Sequence, residues 1–191
     1  MYKPKLLSKI YVVNGAPGAG KDTFCKMVTK YHDEAYTYTV STVDTVKEIA
    51  EMLGWNGEKT PKDRKFLSDL KDVLTEWREI PIRECIDAID YWEFELKQHW
   101  LNPEDVGVVF IMAREPSDIY VLTHLLGAKS LIVRRTEAEL APTSNHADKE
   151  VLNYDYDIEI NNNGTLKELM YEVIKFCNHE GIFGVNEGTF K

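Results

Sequence analysis

Residues 15 to 23 read Gly15-Ala16-Pro17-Gly18-Ala19-Gly20-Lys21-Asp22-Thr23. Glycines at 15, 18 and 20 let the backbone curl so that successive N–H groups face inward, and such a ring of donors can cradle the oxygens of a phosphate. Lys21 would reach the outer phosphates, and a helix beginning here would add its positive end. The position after such a lysine is normally a Ser or Thr that helps to hold Mg²⁺, but here it is Asp22, with the hydroxyl one residue later at Thr23. Asp22 is therefore either a first-turn charge or an outer-shell partner of Mg²⁺.

A second set of residues could complete that chemistry. The chain has six arginines, at 64, 78, 83, 114, 134 and 135, and three of them fall just past the apolar runs ending at Met112 and Val133. If the phosphate held by the loop is a donor, moving its phosphoryl group to a second anion needs cations on both sides. Arg114 suits the acceptor side, since a guanidinium grips a phosphate bidentately; the alternative is an ion pair with a neighbour such as Glu115. One of Arg134 and Arg135 is expected to meet the donor phosphates. Ser41, Lys47 and Arg64 could line the acceptor site. No Asp ends the run before Arg114, so Glu115 and Asp44 are the carboxylates that could replace it, although Asp44 also fits a helix N-cap. Trp55, between Gly54 and Gly57, is the tryptophan best placed to face a substrate, whereas Trp77 and Trp92 lie on apolar helical faces and are expected in the core. The five histidines sit in no motif.

Periodicity supplies the elements that must position these groups. Ile10–Val13 is a short β-branched run stopping at Asn14-Gly15, as a buried parallel strand does, and Phe24, Met27, Val28 and Tyr31 mark a helix after it. Tyr36 to Val43 predicts a second strand, and Val46, Ile49, Ala50 and Leu53 a second helix ended by Gly54. Residues 55 to 64 are polar. Two further helices follow, from Phe66 to Trp77 and after Pro81. Val106 to Met112, the most apolar run, predicts the central strand. Helix 116–126, strand 130–133, a polar stretch 136–148, a weaker strand 156–160 and a helix 165–177 complete the chain, with a surface tail after Gly181. Such alternation predicts an α/β fold with a parallel sheet covered on both faces and ligands at the carboxyl ends of the strands.

Composition limits the partners. The 191 residues carry 23 Lys and Arg against 32 Asp and Glu, a net charge of −9, which argues against a surface that coats nucleic acid or an anionic membrane. Hydrophobic residues make up 43%, enough for one core, and no run approaches the roughly 20 apolar residues that span a bilayer. Cys25, Cys85 and Cys177 are widely spaced and read as buried thiols. A cytoplasmic protein is the expectation.

The pattern GxPGxGKxT resembles that of adenylate kinase and its nucleoside monophosphate kinase relatives, and the Asp22-Thr23 pair resembles the phage-type deoxynucleoside monophosphate kinases. Leu53 to Lys59 with Lys62 to Leu67 is similar to the segment after the second strand in those enzymes. Asn161-Asn-Asn-Gly164 is similar to the end of many P-loop kinases, including dephospho-coenzyme A kinases. The resemblance covers most of residues 9 to 176. It implies a three-layer P-loop domain with a five-stranded parallel sheet, a helical acceptor-binding insertion over 45–100 and a short lid-like segment over 136–150. It further implies transfer of the γ-phosphoryl group of ATP, with Mg²⁺, to a small phosphorylated acceptor. A nucleoside or deoxynucleoside monophosphate is the expected acceptor. The rivals are another phosphorylated metabolite of the dephospho-coenzyme A kind, or a nucleotide sensor without turnover.

Overall fold

The computed structural model describes residues 8–32, 36–99, 107–141 and 150–182. Trp100, residues 142–149 of the lid-like segment and the tail 183–191 lie outside them.

Five strands form one parallel sheet: β1 (Lys9–Asn14), β2 (Thr37–Ser41), β3 (Val108–Met112), β4 (Lys129–Arg134) and β5 (Ile158–Asn161), in the order β2-β3-β1-β4-β5. The helices are α1 (Lys21–His32), α2 (Asp44–Met52), α3 (Pro61–Arg78), α4 (Ile80–His99), α5 (Pro116–Leu126), the short α6 (Thr136–Glu139) and α7 (Leu166–Glu180). The α/β alternation predicted from periodicity is thus the architecture found.

Side chains alternate between two cores, as strand pleating requires. Tyr11, Val13, Phe110 and Val133 point to one face, where Phe24 and Val28 of α1 and Leu169, Val173 and Phe176 of α7 cover them. Ile10, Val12, Val109 and Ile111 point to the other, under Ile82, Cys85 and Ile89 of α4 and Ile119 and Leu122 of α5. Helix α4, within the predicted insertion 45–100, is therefore a covering helix of the sheet as well. The three cysteines are buried, unpaired thiols, as expected.

Two expectations need correction. The central strand is β1, not the run ending at Met112, which lies one place to the side. Both strands are buried on both faces, so hydrophobicity does not rank them. Trp77 is 70% exposed rather than in the core. Helix α3 packs on α2 and α4 rather than under the sheet, and it buries the side of Lys71 instead. Trp92 does pack inward, its ring stacked on Tyr38 with centroids 5.5 Å apart.

Helix α3 starts earlier than its apolar period, at Pro61, because Thr60 and Asp63 form a reciprocal capping box. Glu79, at φ 54°, breaks the chain between α3 and α4. Thr165 and Glu168 cap α7 in the same reciprocal way. Among the described residues no helix is long and apolar enough to cross a membrane.

Candidate functional site

The glycine loop connects β1 to α1 at the carboxyl edge of the sheet, and backbone geometry dictates its glycines. Gly15 has φ 148°, and a Cβ there would lie 2.5 Å from the carbonyl oxygen of Val133 in β4. Gly20 has φ 96°, and a Cβ there would run into the carboxamide of Asn162. That carboxamide donates to the Ala19 carbonyl at 2.7 Å, while the Asn162 backbone N–H donates to Arg134 O at 2.8 Å. Ala16 and Ala19 bury their methyl groups against Ala138 of α6. The Ala19 N–H closes a turn onto Ala16 O at 3.0 Å. The loop is therefore braced by β4, α6 and the chain after β5, which holds its N–H groups in place before any ligand arrives.

Lys21 opens α1 and folds back over the loop, its Nζ donating to Gly15 O at 2.6 Å and to Ala16 O at 3.1 Å. A cation held against a glycine turn at a helix N-terminus is an arrangement that receives phosphate. Asp22 and Thr23 share that first turn, Asp22 exposed and Thr23 half-buried. Pro17 and Gly18 form the exposed tip.

The register places the arginines. Met112 pairs with Val13, so Arg114 leaves β3 at the level of Gly15. Ile132 pairs with Asn14, so Arg134 ends β4 at the level of Ala16. Glu115 meets a lysine: its carboxylate lies 2.5 Å from Lys71 Nζ, which also meets Asp118 at 2.6 Å. Burial pushes the Asp118 carboxyl above its ordinary range, and Lys71 opposes the shift. Arg134 holds Glu139 bidentately, at 2.5 and 2.9 Å, and lies 3.6 Å from Glu159. The hydrogen bonds from Arg134 hold the Glu139 carboxyl below the usual carboxylate range. Arg135 pairs with Glu137 at 3.0 Å.

Ser41, Asp44 and Lys47 do come together past β2. Asp44 is the first residue of α2 rather than its N-cap, which is Val43. Its carboxylate reaches back instead, accepting the Ser41 N–H at 2.8 Å and meeting Lys47 Nζ at 2.8 Å. Ser41 Oγ donates to Met112 O at 3.2 Å, anchoring this cluster to the end of β3. Trp55 and Arg64 are tied within the α2–α3 connection: Trp55 Nε1 donates to Glu58 O at 2.8 Å, and Arg64 Nε to Lys59 O at 3.1 Å.

Asn14 and Tyr156 of this region were not singled out by residue type or spacing, and Asn162 was marked only as part of the Asn161–Gly164 stretch. Asn14, Tyr156 and Asn162 each bind backbone of a different segment. A polar Asn closing an otherwise apolar strand was the available clue for Asn14.

These residues fit a phosphate chain. For a divalent ion, among the described residues no three His, Cys, Asp or Glu side chains converge, and Glu115 and Asp44 are engaged by lysines. Asp22 and Thr23, beside the loop, are the groups that could hold Mg²⁺ together with nucleotide oxygens.

No family model and no curated protein matches the sequence. Solved structures do resemble it. Shikimate kinase from Bacteroides thetaiotaomicron is 11% identical, covers 91% of this chain and 98% of its own, and superposes with a TM-score of 0.43. A sugar kinase from a Janibacter species is 14% identical over 92% and 95%, with a TM-score of 0.49. Dephospho-CoA kinase from Campylobacter jejuni is 15% identical over 91% and 97%, with a TM-score of 0.44. The P-loop-type α/β architecture of this chain stands on its own sheet order and glycine loop.

Proposed function

We propose that the chain is an ATP-dependent phosphotransferase that phosphorylates a nucleoside or deoxynucleoside monophosphate to the diphosphate in the cytoplasm. The observation that carries this reading is one of register: a braced glycine loop leaves β1 while Arg114 and Arg134, at the ends of the strands on either side, lie within one residue of the same level. In an open parallel sheet, that crevice is where ligands bind.

In this reading the loop N–H groups and Lys21 hold the donor phosphates. Arg114 grips the acceptor phosphate, with Ser41, Asp44, Lys47, Trp55 and Arg64 on the same side. Arg134 or Arg135 stabilises the charge of the transferring group, and the Arg134–Glu139 pair carries that cation at the start of the lid-like segment. Mg²⁺, held through Asp22 and Thr23, would screen the phosphate charge. The acceptor phosphate oxygen is itself the nucleophile, so the chain needs no strong base, only alignment and cations.

The test is ATP consumption with Mg²⁺ against a panel of ribo- and deoxyribonucleoside monophosphates, with Lys21→Ala as control. Diphosphate formed by the parent far above the variant supports the reading. Nucleotide binding by calorimetry with no product from any of them turns it toward another phosphorylated acceptor or a sensing role.

A further inference from the structure

Asn14 ends β1 and is fully buried, yet it carries a carboxamide where the rest of the strand interior is apolar. Its three contacts go to three different segments. Oδ1 accepts the Gly15 N–H at 2.8 Å. Nδ2 donates to Arg114 O at 3.0 Å and to the Tyr156 hydroxyl at 2.7 Å. Having accepted from Asn14, that hydroxyl gives its own proton to Val151 O at 2.8 Å. The amide has one allowed orientation, because exchanging its oxygen and nitrogen would set oxygen against the Arg114 carbonyl and nitrogen against the Gly15 N–H.

The ladder between β1 and β3 closes with Ala113 N–H on Val13 O at 3.2 Å, so Arg114 lies one residue beyond it. Past that point the side chain of Asn14 continues the connection, joining the first residue of the loop to the backbone of the arginine beside it. A leucine would fill the same space without fixing either group.

We infer that Asn14, oriented by Tyr156, is a positioning residue that holds the donor loop and Arg114 at one separation. The inference rests on the reading of Arg114 as an acceptor residue. Phosphoryl transfer depends on the reacting oxygens being in line, so a backbone shift of a fraction of an ångström at Arg114 is felt in turnover before it is felt in ATP binding.

Tyr156→Phe keeps the ring and removes the hydroxyl; Asn14→Leu removes the whole bridge. With the responding monophosphate as acceptor, the expected result for Tyr156→Phe is a fall in kcat of about tenfold, with ATP affinity by calorimetry within about twofold of the parent. In an Arg114→Ala background the same change should alter kcat by less than about twofold, since both act through one group. Its effect on the unfolding midpoint should persist in both backgrounds. Asn14→Leu should repeat the pattern more strongly if it folds, and Tyr156→Phe decides the matter if it does not. Equal kcat losses in both backgrounds, or a lowered unfolding midpoint with parental kcat, overturn the inference and leave the role of Arg114 standing. Parental acceptor binding and turnover in Arg114→Ala alone overturn the acceptor reading, and the inference with it.

Discussion

Lys71 Nζ lies 2.6 Å from the Asp118 carboxylate, joining α3 to the first turn of α5 at a point where the lysine side chain is 7% exposed. The same ammonium meets Glu115, the neighbour of Arg114. Helix α3 is thus tied to the start of α5 through one cation shared by two carboxylates. Removing that cation leaves two acids facing each other in a dry pocket, so Lys71→Met should cost about 3–5 kcal/mol in urea unfolding. Lys71→Met with Asp118→Leu should cost less than the sum of the single changes. A single-variant loss below about 1 kcal/mol would mean that the pair is not buried in solution.

Lys21→Ala should leave the unfolding transition in place while lowering turnover at least a hundredfold, because a preorganised cation in a site of this kind is worth about 3 kcal/mol or more. Steady-state kinetics on the purified variant measures this. Near-parental rates would remove the loop from the mechanism.

Arg64→Ala should raise the Michaelis constant for the monophosphate roughly ten- to a hundredfold, as expected for the loss of a charge-assisted contact worth about 1.5–3 kcal/mol. The residue sits exposed in the first turn of α3, tied to Lys59 O, so its loss should hardly change stability. Arg114→Ala should lower kcat as well. Varying each substrate in turn separates the sides: unchanged acceptor constants with a raised ATP constant in both variants would reverse them.

The glycines of the loop should rank by what their missing side chains would meet. Gly18, at φ 82° with open space around it, should tolerate Ala at a cost of about 1 kcal/mol of strain. Gly15→Ala strains the backbone at φ 148° and adds a collision with Val133 O, so it should lose more stability and most nucleotide affinity. Calorimetry showing equal ATP binding by both variants would contradict this ranking.

Glu180 predicts a pH dependence. Burial pushes its carboxyl up, but hydrogen bonds from Lys129, Tyr11 and His179 outweigh burial and hold it below the ordinary range. A depressed carboxyl stabilises the fold above its unfolded pKa of about 4.3 and loses that contribution as pH falls through the folded value. Unfolding free energies should therefore converge between the parent and Glu180→Gln below about pH 4, with the parent ahead at pH 7. A constant gap across that range would rule out this linkage.

The alternation of β-branched runs with helical periods was enough to read the five strands and most helices, because buried parallel strands and amphipathic helices differ in period whatever their neighbours are. The glycine loop was equally legible, since φ values of 148°, 82° and 96° are backbone states that other residues rarely adopt. Strand order was not, for β1 and β3 are alike in being buried on both faces, and only pairing makes β1 central. Nor did the spacing of Phe66, Val73 and Trp77 reveal which face of α3 turns inward: the tertiary structure decided that by pairing Lys71 with Glu115 and Asp118. The roles of Asn14 and Asn162 became visible only in three dimensions. A carboxamide's role depends on which backbone groups reach it, and here those groups come from segments a hundred or more residues away.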